Sequence, residues 1–329
     1  MKKSRQHKTP ALDAGRIYEV AKQAAVSIVT VSRVFNNYPH VSDRMRTRVF
    51  AAARAVGYKP RVVSKRRVIA VIVGHMDQLT AGDYKTRLIL QIVQAAAHNG
   101  FLVEFIPYDS IEMATEHHVD GVIEVGLTSA EVQRLEELPN VPTVLINKAR
   151  QDKRHYAVCS DHVDEGRTAT EYLVDHGHTA IALVLDEDTG WGPGQRIKGY
   201  TEALARRSNA RNQCILSAED LTPAEIAQQI LDSRCTAAIL FSDNLGLAVL
   251  DALHNDFGKV IPNDISIVGL ENKSISPFMN PRLTTIEQPL AELAESAVAC
   301  IVNKIKGSDS ITPRQFKSRL IERDSVKRI

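Results

Sequence analysis

Two different rhythms of apolar and polar positions divide the chain. Beyond residue 67, short apolar runs recur: "VIAVIVG" (68–74), "FLVEFIP" (101–107), "DGVIEVG" (120–126), "PTVLIN" (142–147), "TAIALVLD" (179–186), "AAILFSD" (237–243) and "DISIVGLEN" (264–272). Each has the length and β-branched content of a buried strand. Amphipathic stretches at 84–98, 163–176, 195–207, 222–233 and 244–256 separate most of them. Strands alternating with helices imply parallel sheets with right-handed crossovers. A fresh start near residue 158 predicts two such sheets. Before residue 60 the rhythm is purely helical. Ile17, Val20, Ala21 and Ala24 share one face of a first helix over about 17–24. Ser27 stands where an N-cap belongs for a second helix over about 28–36, whose Val31 and Val34 turn inward. Ser42 starts a third helix that Gly57 ends and Pro60 prevents from continuing.

Charge sharpens this division. Residues 1–67 hold 16 Lys/Arg and 3 Asp/Glu, whereas the remaining residues hold 25 and 36. A basic head on an acidic body points to an anionic polymer as the head's partner. Helix, tight turn and polar second helix in a basic segment form the helix-turn-helix pattern. On that pattern Ser27, Thr30, Ser32 and Asn36 donate to phosphates and Arg33 reaches a base edge. Ile28 and Val29 are placed to touch thymine methyls, and Lys59 and Arg61 to meet phosphates. No run approaches the roughly 20 apolar residues a membrane span needs, and the basic N-terminus lacks the apolar stretch of a secretory signal. A cytoplasmic location is expected. Cysteines 159, 214, 235 and 300 show no paired or metal-ligand spacing.

The head "IYEVAKQAAVSIVTVSRVFNN…VSDRMRTRVFAAARAVGYKP" resembles the LacI/GalR family of bacterial transcription regulators. So do "DEGRTATEYLVDHGHTAIALV" (164–184), "RIKGYTEAL" (196–204), "IPNDISIVGLEN" (261–272), "PRLTTIEQP" (281–289) and "SRLIERDS" (318–325). The resemblance implies an α/β core of two Rossmann-like parallel-sheet lobes, periplasmic-binding-protein-like, behind an all-α head. It divides the chain into a DNA-binding head (1–60), a short basic linker (61–67) and a core (68–329). Within the core, lobe one is expected at about 68–160 and 290–312, and lobe two at about 161–289 and 313–329. It adds Tyr18, His40 and Ser42 to the DNA-facing residues, and it implies a homodimer on double-stranded operator DNA. Ala25 stands where the family has glycine; if that position is left-handed, alanine costs about 1 kcal/mol. The linker "RVVSKRR" has no room for the family's hinge helix, so Arg61, Lys65, Arg66 and Arg67 are expected to track phosphates without inserting between bases. The span 107–120 leaves space for one or two helical turns.

By the same resemblance, a cleft ligand meets His75, Asn147, Arg196, Ser242, Asp243, Glu271 and Gln288. An arginine with a carboxylate and amides suits a polyhydroxylated ligand, whose hydroxyls both donate and accept. Trp191, the single tryptophan, lies in the loop "DEDTGWGPGQ" and offers a flat face to a sugar or base. Arg196 as a surface ion pair, Ser242 and Asp243 as helix caps, and Trp191 as packing stand as alternatives. Glycines 190, 192 and 194 do not make a dinucleotide fingerprint. "HGH" at 176–178 reads as a helix end and "EHH" at 116–118 as surface, with no metal site. No catalytic set and no cofactor motif emerge. The expected function is a dimeric, ligand-responsive repressor with a sugar effector. A nucleobase or nucleoside effector is the second reading, and a nucleotide-using enzyme or a transporter's solute-binding protein are further alternatives.

Overall fold

The computed structural model describes residues 11–35, 41–58, 67–74, 76, 79, 82–117, 119–135, 138, 141–148, 155–185, 191–206, 213–306 and 314–329. These fall into two compact units, divided between Arg67 and Val68.

The first unit is three helices: α1 (Ala11–Gln23), α2 (Ile28–Phe35) and α3 (Asp43–Ala55). Val20, Ala24, Val31, Val34 and Val49 meet at its centre, all but inaccessible to water. Burial of a valine side chain stabilises by about 1.5–3 kcal/mol, so this small core can hold three short helices. Its caps are those the sequence predicts. Ser27 Oγ accepts from Thr30 N at 3.1 Å and Ser42 Oγ from Met45 N at 3.4 Å. Between α1 and α2 the chain turns through Ala25 at φ +48°, a left-handed conformation that a Cβ disfavours. The first helix begins at Ala11, earlier than its apolar face suggests.

The second unit holds two six-stranded sheets. In lobe one, β1 (Val68–Val73), α4 (Tyr84–His98), β2 (Leu102–Pro107), a 3-10 turn (Tyr108–Ser110), α5 (Met113–Glu116), β3 (Gly121–Val125), α6 (Ser129–Leu135), β4 (Thr143–Ile146) and β5 (His155–Ser160) follow in order. Lobe two continues with α7 (His162–Asp175), β6 (Ile181–Leu185), α8 (Trp191–Ala205), β7 (Cys214–Ser217), α9 (Pro223–Asp232), β8 (Ala237–Leu240), α10 (Asp243–Asn255), β9 (Ser266–Leu270) and β10 (Thr284–Glu287). The chain then returns to lobe one as α11 (Leu290–Ile305) and β11 (Arg314–Phe316), and crosses once more into β12 (Arg319–Ile321).

Strand order is β11-β5-β4-β3-β1-β2 in one sheet and β12-β10-β9-β8-β6-β7 in the other. Of the registered pairings only β10–β12 is antiparallel. The central strands β1, β3, β4, β6, β8 and β9 are buried along their whole length, which is why they read as uninterrupted apolar runs. One expected boundary moves. Arg314–Phe316 pairs with Val158–Ser160 of lobe one, so the last crossing follows Phe316 instead of falling at 313. The strand order reverses between β1 and β3 in one sheet and between β6 and β8 in the other, the kind of switch point outside which open α/β folds bind ligands.

Candidate DNA-binding surface and effector cleft

The outward face of the head carries what its core excludes. Tyr18 and Val29 are 61% and 59% exposed, and Ser27, Arg33 and Ser42 are exposed beside them. Ile28, Thr30 and Ser32 are half-buried on the same short helix. An exposed valine between a capping serine and an arginine does nothing for the three-helix core. Ser27 and Thr30 also bond each other, Oγ to Oγ1 at 2.9 Å, so part of their hydrogen-bonding capacity already serves the cap. Asn36, His40, Lys59 and Arg61 lie outside the described residues, as do Lys65 and Arg66 of the linker.

In the core, a cavity of about 750 Å³ opens between the lobes. That falls within the range of small-molecule sites, on the order of 300–1,000 Å³. Asn147, Trp191, Arg196, Glu271 and Gln288 all line it. His75 lies outside the described residues.

Arg196 is placed by glycines. At Gly166 on α7 an added Cβ would stand 2.2 Å from Arg196 O, and at Gly199 on α8 one would stand 2.0 Å from Val163 O. Only glycine permits so close a helix approach, and it brings Arg196 Nε to 3.1 Å from Glu165 Oε2. Glu165 is fully buried and also receives Ser318 Oγ at 2.8 Å, with His162 Nδ1 2.8 Å away. Burial opposes ionisation of Glu165, but His162, Arg196 and Ser318 outweigh it and hold its carboxyl down at about 2. Burial pushes the His162 imidazole down as well, so at neutral pH the ring is uncharged. An ionised carboxylate can only accept, so Nδ1 carries the proton and Nε2 is left as an acceptor. That nitrogen lies on the Gly192 side, toward the cavity. The Arg196 guanidinium also lies over the Phe241 ring, 5.0 Å from its centre, and Trp191 meets His162 edge-on at 5.4 Å.

The opposite wall belongs to lobe one. Asn147, at φ +56°, accepts from Ser160 N at 2.8 Å through Oδ1 and donates to Tyr84 Oη at 2.6 Å through Nδ2. Gln288 Oε1 stands 3.5 Å from the same Nδ2. Burial pushes the Tyr84 phenol far up, so it stays protonated and keeps an O–H to offer. Glu271 follows β9 at φ +105°, and Asn272 follows at φ +48°. Both carbonyls accept from Arg87 Nη1 on α4, each at 2.9 Å, and Lys273 Nζ pairs with Glu271 Oε2 at 3.2 Å. Two consecutive left-handed residues without glycine persist only where their surroundings fix them, and such strain gathers at binding sites.

Two expectations on this site need correction. Ser242 and Asp243 do not line the cavity. Ser242 Oγ caps α10 by accepting from Leu245 N at 3.1 Å. Asp243 is fully buried, accepting from Lys273 N at 2.8 Å, Thr285 Oγ1 at 2.7 Å and Ser276 Oγ. Trp191 is not in a loop but opens α8, with Gly192 and Pro193 in the same first turn. Of the two histidine motifs, "HGH" closes α7 through Gly177 at φ +98°. His178 is held between Thr236 Oγ1 at 2.8 Å and Lys327 O at 3.1 Å. In "EHH", His117 pairs with Glu104, and His118 lies outside the described residues. Glu165, His162, Tyr84, Arg87 and Phe241 were not expected in the site. The "EG" of "DEGRTATEYL" and the glycine of "RIKG" carry the signal for Glu165, since a helical glycine pair marks where two helices touch.

Comparison with known proteins agrees with this architecture. Residues 16–61 match the model of the bacterial regulatory proteins of the lacI family, and residues 170–326 match a periplasmic binding protein-like domain. The HTH-type transcriptional regulator AscG of Escherichia coli K12 is 24% identical, covering 94% of this chain and 97% of its own. GalS of Salmonella typhimurium is 28% identical, covering 94% and 96%. Among solved structures, the lac repressor dimer bound to operator and an anti-inducer superposes with a TM-score of 0.76 at 23% identity, over 94% of this chain and 98% of its own. The CelR–cellobiose complex superposes at 0.69 and 24% identity, over 94% and 99%. With a helix-turn-helix head that matches the family model and a two-lobed core of the same fold as the lac repressor, the chain belongs to the LacI family of bacterial transcription regulators.

Proposed function

We propose that the protein is a cytoplasmic homodimeric repressor whose operator affinity is set by a small polyhydroxylated ligand held between the core lobes. The observation that carries this reading is the cavity of about 750 Å³ whose lining alternates aromatic rings with paired polar groups. Trp191 and Phe241 offer flat apolar faces. The guanidinium of Arg196, the carboxylate of Glu271, the amides of Asn147 and Gln288, the phenol of Tyr84 and Nε2 of His162 offer donors and acceptors on both walls. A sugar ring has this dual character: hydroxyls around its rim and C–H groups on its faces. Among the described residues of the cavity nothing pairs a nucleophile with a base, and the relatives are named as regulators.

In the head, Arg33 is the residue assigned to a base edge. Val29 is assigned to a thymine methyl, and the hydroxyls of Ser27, Thr30 and Ser32 to phosphates. A two-fold dimer then reads both halves of a near-palindromic site. Because Glu271 is tied to α4 through Arg87, a ligand that draws the lobes together acts on both at once. Coupling of this kind amounts to about 1–3 kcal/mol. The test is to sequence the DNA fragments the purified protein retains, and then measure retention against a panel of sugars and nucleosides. A retained palindrome with affinity changed at least fivefold by a sugar is expected. Fragments without a shared sequence, or affinity indifferent to every bound compound, overturn the reading.

A further inference from the structure

Among the described residues the lining of the cleft carries more cations than anions. Four charged side chains line it there: Lys85, Lys148, Arg196 and Glu271. Two of these already have partners, Arg196 in Glu165 and Glu271 in Lys273. Neither Lys85 nor Lys148 forms a close ion pair with a described residue, although the charge of Lys148 acts on the buried Glu124 carboxyl. The carboxylates on their side of the cleft are engaged elsewhere. Glu131 accepts from Thr128 N at 2.6 Å. Glu124 is fully buried beneath the wall, accepting from Ile146 N at 2.9 Å and Leu127 N at 3.2 Å.

Lys85 is held at this wall by the shape of the backbone. Its stem crosses Gly126, where an added Cβ would lie 2.5 Å from Cε and 3.2 Å from Nζ. Gly126 sits at φ +71°, so the position suits glycine for two reasons. Without a side chain there, the Lys85 ammonium reaches the cavity beside Thr128. From lobe two, the first turn of α8, a helix of 15 residues, faces the same space through Trp191 and Gly192. The first N–H groups of a helix have no partner within it, and its dipole places partial positive charge there. Both walls therefore present positive potential to a cavity in which the described carboxylates are already matched.

We propose that the effector is anionic: a polyhydroxylated body bearing a phosphate or carboxylate group that sits on Lys85 and Lys148, facing the first turn of α8. This rests on the reading of the cleft as the effector site and narrows its ligand class. A neutral sugar would leave the Lys85 ammonium without a counter-charge among the described residues, and Lys148 with only the buried Glu124 behind it. An anionic one would be gripped from lobe one by charge and from lobe two by Arg196 and the helix start, favouring the closed form.

The test uses the full-length protein and matched probes: glucose, glucose 6-phosphate and glucuronate, their galactose counterparts, and inorganic phosphate alone. Binding is read by calorimetry and by the shift in melting temperature. At least one anionic probe is expected to bind about tenfold or more tightly than its neutral counterpart, the size of one charge-assisted hydrogen bond. The phosphorylated and carboxylated arms separate the two sources of charge. Lys85→Gln and Lys148→Gln should each remove about tenfold of that affinity, with the ligand-free melting temperature unchanged to show a folded variant. Equal binding of neutral and anionic members overturns the inference, and so does anionic binding that survives the double lysine variant. Both leave the ligand-responsive reading standing. Failure of every anionic probe to bind also overturns it. Operator retention measured in parallel reports on the broader reading separately.

Discussion

The residues assigned to function in the head and those in the cleft are built in opposite ways. On the head, Arg33 and Val29 project from α2 while Val31 and Val34 of the same helix hold the fold. Two neighbouring sets of residues serve two separate purposes. In the cleft the same groups serve both. Arg196 faces the ligand space and is also the counter-charge of the buried Glu165, which Ser318 ties to the last crossing between lobes. The lesson is one of separability: a substitution at Arg33 or Val29 tests binding alone, whereas one at Arg196 tests folding and binding together.

The largest effect should come where the two purposes are most entangled. Arg196→Ala leaves Glu165 charged and buried without its permanent cation, and should cost about 3–5 kcal/mol of stability by chemical denaturation. Adding Glu165→Gln should recover part of that loss. A cost below about 1 kcal/mol, the range of solvated surface pairs, would break the comparison at its centre.

Two buried carboxylates sharpen the point through pH. Glu165 is held at about 2, below its unfolded value, so its contribution is present above pH 5 and is lost as pH falls toward 2. Glu124 behaves oppositely. Burial pushes its carboxyl up to about 7 against the pull of Lys148 and of two backbone N–H groups. Its folded form prefers the proton, so stability should fall as pH rises from about 5 to 8, by up to about 3 kcal/mol. Glu124→Gln should flatten that slope in a series of denaturation curves, whatever it does to absolute stability. An unchanged slope would assign the titration to another group.

On the head the expected losses lie in binding. Arg33→Ala should weaken the operator by about 1–3 kcal/mol and relax one base position, while stability changes by less than about 0.5 kcal/mol. Equal weakening on operator and random DNA would remove Arg33 from base readout. The smallest effect concerns the turn. Ala25→Gly should relieve the left-handed strain at φ +48° and raise the head's stability by about 1 kcal/mol in a thermal melt. No gain would mean that the turn holds alanine without cost.

How far the sequence could be read follows the same division. The central strands were plain because burial on both faces makes them continuous apolar runs. β5, β7, β10, β11 and β12 were not: the last four are only three or four residues long, and β5, "HYAVCS", begins and ends on polar residues and gives no continuous apolar run. Ala25, Ser27 and Ser42 were legible because turns and caps are local. The partners of Arg196 were not, because Glu165 is 31 residues away and Ser318 further still. Ser242 and Asp243 show the limit of position-by-position reading. They begin a helix at the cleft's edge, yet the side chains turn to their own cap and to the Lys273–Thr285 region.

The late strands have a consequence for how the chain is made. β11 lies at the edge of one sheet, pairing Arg314 with Val158, and β12 at the edge of the other, pairing Leu320 with Ile286. α11, which packs into lobe one's core, also comes from beyond residue 289. During synthesis the first sheet must wait, without its outer strand and helix, while the whole of lobe two is added. The three-helix head has all its core residues by Tyr58 and waits for nothing. Contacts so distant along the chain slow folding, because loop closure is paid before pairing repays it. The head should therefore refold ahead of the core after dilution from denaturant, and the half-built first lobe is where a growing chain is most exposed to aggregation.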